Sequence, residues 1–136
     1  MISQSTVVLV ICSLGSFVLG HPGFMDLIPN GHMVPNPCPN NSSYPWHGVG
    51  HNNRTGGGIA NVFGADFLTA NMTWTKAFCM ADSDIDGKTN GFELGDPDCK
   101  WVQGGPPAGK PFSHPGVCEP MTSKTCIAVN LNIRCI

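Results

Sequence analysis

Charged side chains are scarce in this sequence: aspartate, glutamate, lysine and arginine make up 12% of its 136 residues, about half the usual share for a soluble domain. The formal net charge is −2, so the chain lacks the basic face that an electrostatic nucleic-acid binder needs. It is also too short for a TIM barrel and leaves little room for a second domain. We therefore predict one small domain that does not bind nucleic acid.

Sequence motifs of catalysis are absent as well. There is no GxSxG nucleophile motif and no CxxC pair for zinc, and the glycine run 56–58 lacks the Lys-Ser/Thr ending of a phosphate loop. Outside one acidic stretch the only carboxylates are Asp26, Asp66 and Glu119, which makes a paired-carboxylate hydrolase hard to build. The sequence therefore predicts a protein that is not an enzyme.

Long hydrophobic runs are absent after residue 20. The one apolar run covers residues 6–19 and is interrupted by serine and glycine, whereas a membrane anchor needs about 20 apolar residues. Residues 1–20 are thus predicted to be a cleaved secretory signal peptide, with a membrane anchor as the alternative. Cleavage would leave a secreted, extracellular domain of residues 21–136 with no membrane segment.

Cysteine, by contrast, is frequent, and its number supports export. Cys12 lies in the predicted signal, and an even number of cysteines remains, which indicates a disulfide framework in a short secreted chain. Spacing favours a short C-terminal loop, a loop around the acidic stretch, and a bridge between the two ends of the domain. The predicted pairs are Cys126–Cys135, Cys79–Cys99 and Cys38–Cys118.

Four Asn-x-Ser/Thr sequons predict a glycoprotein, provided that they are exposed in a eukaryotic secretory route. They begin at Asn40, Asn41, Asn53 and Asn71. The first two overlap, so we expect one of them to be used at a time.

Glycine and proline, 17 and 12 residues respectively, predict turns and irregular backbone in place of a large regular sheet. No helical period survives in residues 21–62, whereas residues 65–80 place apolar side chains at helical spacing. Residues 127–136 alternate weakly and predict a short strand. The expected fold is a small α+β, loop-rich, disulfide-stabilised domain with one helix leading into a single EF-hand-like calcium loop.

Residues 82–93, DSDIDGKTNGFE, are the strongest chemical signal in the sequence. Carboxylates packed this closely repel one another unless a cation lies among them. Their spacing matches the EF-hand loop, including Gly87 at position 6, where the chain must turn sharply. Hard oxygen ligands favour calcium over zinc or copper. The predicted ligands are Asp82, Asp84, Asp86, Lys88 through its backbone carbonyl, Asn90 and Glu93.

The histidines leave a different metal site open. If signal cleavage exposes His21, its α-amino and imidazole nitrogens could chelate copper together with a second histidine, as in oxidative polysaccharide enzymes. The sequence does not identify that second histidine, and a role of His51 or His114 in a second metal site also stays open. A copper-dependent oxidase is therefore an alternative to the non-catalytic interpretation.

Six stretches resemble the temptin family of secreted molluscan proteins. The long acidic block and the HPGVC sequence are the most specific, and the resemblance covers roughly residues 27–120. The stretches are residues 28–31 (IPNG), 48–51 (GVGH), 63–67 (FGADF), 74–79 (WTKAFC), 82–97 with Cys99, and 114–118 (HPGVC).

The resemblance implies a disulfide-stabilised extracellular domain with a metal site that binds protein partners. Temptins belong to a water-borne pheromone blend, so the expected companion is an attractin-type peptide. A structural module of extracellular matrix or shell is the alternative role. With a rigid backbone, loops around Trp46 and residues 106–115 are the expected display surface.

Overall fold

Short helices and long loops make up the described part of the chain, residues 23–40 and 43–135 of a computed structural model. Pairing between extended segments in those residues is limited to two isolated bridges, His51 with Ala60 and Asn53 with Arg134. The β part of the predicted α+β class is therefore wrong, while the loop-rich, disulfide-stabilised part is confirmed. The helical elements are a 3-10 helix Phe24–Leu27, α1 Val62–Thr69, α2 Lys76–Met80, α3 Asn90–Glu93 and α4 Lys124–Val129.

The helix predicted over residues 65–80 is two helices, α1 and α2. The backbone between them turns left-handed at Asn71 (φ 54°) and Met72 (φ 52°), a conformation that a right-handed helix cannot contain. The second helix, α2, is capped by Thr75, whose hydroxyl accepts a hydrogen bond from the Phe78 N–H at 3.1 Å. The apolar periodicity was continuous across a break because both helices bury aromatics in the same core.

The predicted C-terminal strand is also wrong, because residues 124–129 form α4. Ser123 caps this helix by accepting a hydrogen bond from the Cys126 N–H at 3.1 Å. Just beyond its end, the Asn130 side chain bonds both the N–H and the carbonyl of Cys118 at 3.0 and 2.8 Å. The helix is thereby held against the segment that precedes it.

Of the three predicted disulfides, Cys79–Cys99 is confirmed and the other two pairs are wrong. The structure joins Cys118 to Cys126, and Cys38 to Cys135. The cause is α4, which places Cys126 beside Cys118. The chain after α4 then returns to the N-terminal half, where the Arg134 N–H donates to the carbonyl of Asn52 at 2.7 Å.

The core is an aromatic cluster formed by α1 and α2. Phe63, Phe67 and Phe78 lie with ring centroids 5.0–6.2 Å apart, and Trp74 meets Phe78 edge to face. Close packing of backbone completes it at Gly64, where a Cβ would lie 2.1 Å from the carbonyl oxygen of Gly50. The aliphatic members of the same cluster are Ile28, Val34, Val49 and Leu94.

The predicted signal peptide, residues 1–20, and His21 lie outside the described residues. Within the described ranges, every helix is too short or too polar to cross a lipid bilayer.

Candidate functional site

The acidic loop, residues 82–93, follows α2 and ends with α3, and its two ends are fastened together. The Asn90 N–H donates to the carbonyl of Ala81 at 2.7 Å, which closes the loop at its base. The disulfide Cys79–Cys99 lies beside it, and Gly91 packs so closely on that bridge that a Cβ would be 2.3 Å from the Cys79 sulfur. The loop is therefore held at both ends by covalent and backbone contacts.

The loop turns at Gly87, as its place in the EF-hand template requires. Gly87 has φ +90°, which glycine adopts at little cost. The carboxylate of Asp82 accepts hydrogen bonds from the Asp86 and Gly87 N–H groups at 3.2 and 2.8 Å. These bonds wrap the backbone around the carboxylate and orient the side chains that follow.

Three of the predicted ligands converge in this loop. Carboxylate oxygens of Asp82, Asp84 and Asp86 all lie within 4.8 Å of one another. Asp82 is exposed and Asp84 is fully buried. Lys88, predicted to contribute its backbone carbonyl, also places its ammonium 3.2 Å from Asp86, where it neutralises part of the negative charge.

The two remaining predicted ligands, Asn90 and Glu93, are fully buried on α3. Hydrogen bonds from the Asn90 amide nitrogen to the Phe78 carbonyl and the Ser83 hydroxyl, both at 2.9 Å, fix the orientation of that side chain. Glu93 accepts a 2.7 Å hydrogen bond from the Ser113 hydroxyl through Oε1. Each side chain therefore has one atom engaged and one oxygen left over.

The oxygens left over are the decisive feature of the site. Asp84 Oδ2, Asn90 Oδ1 and Glu93 Oε2 are buried and have no hydrogen-bond partner in the described part of the chain. An unsatisfied buried polar atom lowers the stability of the folded state by about 1–3 kcal/mol, more when it is charged. Three such atoms at loop positions 3, 9 and 12 therefore require a physical explanation. Hard oxygens of this kind are the ligands that calcium prefers.

The electrostatics of the loop agree with this reading. Burial, together with repulsion from Glu93 and Asp86, raises the pKa of Asp84 to about 9. Burial likewise raises the pKa of Glu93 to about 8, against the opposing hydrogen bond from Ser113. Without a cation these two carboxyl groups would therefore be mostly protonated at neutral pH, and a bound cation would favour their charged form.

Sequence reasoning missed a second layer around the loop, formed by residues 112–119. The Phe112 and Ser113 N–H groups donate to the carbonyl of Glu93 at 2.7 and 3.3 Å, and the Glu119 N–H donates to Asp86 Oδ2 at 3.4 Å. Ser113 lies 20 residues from Glu93 in the sequence, so no local pattern indicates that the two side chains are in contact. This segment holds the acidic loop from outside.

The acidic stretch beyond residue 93 serves a different purpose. Asp96 is buried and accepts hydrogen bonds from the Trp74 indole at 2.9 Å and from the Lys100 and Trp101 N–H groups at 2.9 and 3.1 Å. This carboxylate organises the turn that contains Cys99. Asp98 is exposed.

The expected display surface is only partly present. Trp46 itself is 0% exposed and packs edge to face against His114 with ring centroids 5.2 Å apart, whereas Tyr44 and His47 in the loop around it are exposed. The indole nitrogen donates to the Gly48 carbonyl at 3.0 Å, which makes Trp46 a core residue. Of residues 106–115, the part up to Phe112 is largely exposed and the part from Ser113 is buried.

The predicted sequons differ in their surroundings. Asn40 and Asn71 are exposed, and Asn41 lies outside the described residues. Asn53 is half-buried, and its amide nitrogen, the atom that a glycan would modify, donates to the Gly57 carbonyl at 3.0 Å. Glycosylation at the four positions stays a prediction.

Burial of His114 predicts loss of stability in acid. Burial lowers the pKa of His114 from 6.5 to about 3, so between those values the unfolded chain binds a proton that the native protein excludes. We expect the free energy of unfolding to be unaffected by this group above pH 6.5 and to fall below it, by up to about 1.4 kcal/mol per pH unit. Denaturant unfolding of the wild type at several pH values from neutral to acid measures this slope.

The variant His114→Asn isolates that contribution, because its side-chain oxygen can accept the 3.0 Å hydrogen bond that the Gly116 N–H donates to Nδ1. Its acid slope should be shallower than that of the wild type, whatever its absolute stability. His47→Asn, at an exposed histidine, should leave the slope unchanged. Equal slopes for His114→Asn and the wild type would contradict the assignment.

Comparison with known proteins places the chain in a family. The family model described as Temptin C-terminal matches residues 18–117. This chain belongs to the temptin family. Temptin of Aplysia californica is 47% identical to it over 115 residues, which cover 84% of this chain and 88% of the relative. No solved structure matches the chain.

Two of the temptin-like stretches, residues 28–31 and 114–118, lie beside the acidic loop or in its second layer. In the IPNG stretch, Asn30 adopts φ 54° and its amide donates to the carbonyls of Leu94 and Gly109, both at 2.8 Å. The HPGVC stretch lies within the second layer of the site and supplies His114 to the core. The match to the family model ends at residue 117, so α4 and the disulfide partners Cys126 and Cys135 lie beyond that model.

Proposed function

We propose that this protein is a secreted, calcium-stabilised pheromone component that acts by binding a peptide partner of the attractin type. The observation that supports calcium is the set of three buried oxygens without partners on Asp84, Asn90 and Glu93. Membership of the temptin family supports a pheromone-related role. The proposed role is recognition, without a catalytic step.

Calcium would be held by side-chain oxygens of the acidic loop and of α3, with the Ser113 hydroxyl and the segment 112–119 orienting Glu93 and Asp86. When bound, the ion supplies positive charge and fixes side chains that otherwise repel one another. Because the second layer contacts the same carboxylates, calcium also stabilises the position of residues 112–119. Its proposed effect is a rigid backbone around the loop.

A pair of exposed aromatic rings supports recognition near this loop. Phe92 and Phe112 are 43% and 62% exposed, and their ring centroids lie 5.0 Å apart. Both are connected to Glu93: Phe92 precedes it in the chain, and the Phe112 N–H bonds its carbonyl. Exposed aromatics are typical anchors of protein interfaces, and here their positions depend on a proposed calcium ligand.

The test is a binding titration of the purified secreted protein with an attractin-type peptide, with calcium and with a chelator. We expect binding in calcium and at least about tenfold weaker binding after chelation, because an anchor that must be ordered on binding lowers affinity. Phe112→Ser should weaken binding, and Val102→Ser, at an exposed residue with 74% exposure, serves as its control. Absence of binding in both conditions would overturn the proposed partner role.

A further inference from the structure

An apolar cavity lies among the N-terminal 3-10 helix, residues 47–60 and α1. Its volume is about 370 Å³, within the range of roughly 300–1,000 Å³ that small-molecule sites occupy. Ile28, Phe63 and Phe67 line it and are buried, whereas Leu68 and Met72 line it and are 60% and 38% exposed. The cavity therefore reaches from the core to the surface.

The wall formed by residues 48–51 is fixed by α1. The Asn61 side chain, which caps α1, donates to the carbonyls of Val49 and His51 at 2.7 and 3.0 Å. Gly50 and Gly64 bring the backbones of the loop and the helix into direct contact. A cavity built on backbone contacts exists before any ligand arrives, which lowers the entropic cost of binding.

The cavity has a defined chemistry. Among the described residues, no aspartate, glutamate, lysine or arginine lines it, so an ionised ligand would lose hydration without a counter-charge. One lining residue, His51, has a ring nitrogen, Nδ1, that is buried and has no hydrogen-bond partner among the described residues. A neutral imidazole nitrogen can accept or donate one hydrogen bond, depending on the tautomer.

The geometry points to a binding site for a small, uncharged, largely apolar organic molecule that carries one hydroxyl or carbonyl group. The apolar part fills the space against Phe63 and Phe67, and the oxygen pairs with His51 Nδ1. This site is separate from the proposed calcium loop: none of the loop residues 82–93 lines the cavity. Its failure would therefore leave the calcium proposal untouched.

Fluorescence of the neutral apolar dye N-phenylnaphthylamine tests the site on the full mature protein. We expect the dye to bind with enhanced emission and to be displaced by straight-chain competitors of equal length. A methyl ketone should compete about fivefold better than the alkane, the gain from one hydrogen bond, and the carboxylate should compete worst. Failure of the wild type to bind the dye would overturn the proposal.

A matched pair of variants locates the site. Leu68→Trp narrows the opening and should weaken dye binding at least about tenfold, whereas Thr69→Trp, on an exposed neighbour that does not line the cavity, should not. Thr55→Trp, at an exposed lining residue, repeats the test if Leu68→Trp fails to fold. Unchanged dye affinity in a folded lining variant would contradict this location.

His51→Phe keeps a ring of similar size and removes the nitrogen. It should bind the dye but lose the preference for ketone over alkane, and His47→Phe, at an exposed lining residue, should keep that preference. Retention of the ketone preference in His51→Phe would overturn the role assigned to Nδ1.

Discussion

Replacing Glu93 by glutamine is expected to lower calcium affinity by about 100-fold. Outer residues that only orient a metal ligand typically contribute 10- to 100-fold in affinity, and Glu93 is proposed as a ligand with a free, buried carboxylate oxygen. With calcium a hundredfold above the wild-type Kd, the wild type gains about 2.7 kcal/mol of stability and the variant only about 0.4 kcal/mol. Calorimetric titration and denaturant unfolding with and without calcium measure both quantities.

The same substitution should have the opposite effect when calcium is removed. Glutamine keeps the oxygen that accepts the Ser113 hydrogen bond and removes one of several buried carboxylates, so the chelated variant should be at least as stable as the chelated wild type. If Glu93 had only a structural role, Glu93→Gln would destabilise both the calcium-bound and the chelated protein. Asp98→Asn, at an exposed carboxylate of the same stretch, is the control and should change neither quantity; unchanged affinity in Glu93→Gln would refute the ligand assignment.

Removing the disulfide Cys38–Cys135 is expected to have the largest effect on stability of any single cross-link. It joins residues 97 apart in sequence, whereas Cys118–Cys126 joins residues 8 apart. In the chain-entropy model the long bridge contributes about 4–5 kcal/mol and the short one roughly 2–3 kcal/mol. The paired variants Cys38→Ser/Cys135→Ser and Cys118→Ser/Cys126→Ser, compared by denaturant unfolding, test this difference.

Peptide mapping of the unreduced protein must accompany that comparison. It should yield one fragment that joins Cys38 to Cys135 and another that joins Cys118 to Cys126. A fragment joining Cys38 to Cys118 would restore the pairing expected from spacing and contradict the structure. Equal losses of stability in the two paired variants would contradict the entropic ranking while leaving the pairing intact.

The corrected disulfides also explain how a chain with so little regular structure is held together. The Cys79–Cys99 bridge lies at the acidic loop, and the Cys118–Cys126 bridge fastens α4 to the second layer of the site. The Cys38–Cys135 bridge connects the C-terminal tail to the N-terminal half. Two of the bridges thus close local loops, and the third joins distant parts of the chain.

Some features of the site were predictable because they depend on spacing over a few residues. The turn at Gly87, the convergence of Asp82, Asp84 and Asp86, and the bridge Cys79–Cys99 all lie within a 21-residue stretch whose geometry local backbone preferences constrain. The helix over residues 65–80 was predicted in type but not in extent. The apolar pattern did not reveal the left-handed break at Asn71 and Met72, because α1 and α2 both bury apolar side chains in the same core.

By itself, the sequence determined the acidic loop, its turn and its adjoining cystine, because ligands a few residues apart meet through local geometry alone. Only the tertiary structure decided the partners of Cys38 and Cys118, the contact of Ser113 with Glu93, and the cavity lined by His51. Each of these joins residues that are distant in the chain or depends on how α1 and α4 pack. Such contacts follow from the burial of apolar surface in three dimensions, which side-chain spacing does not encode.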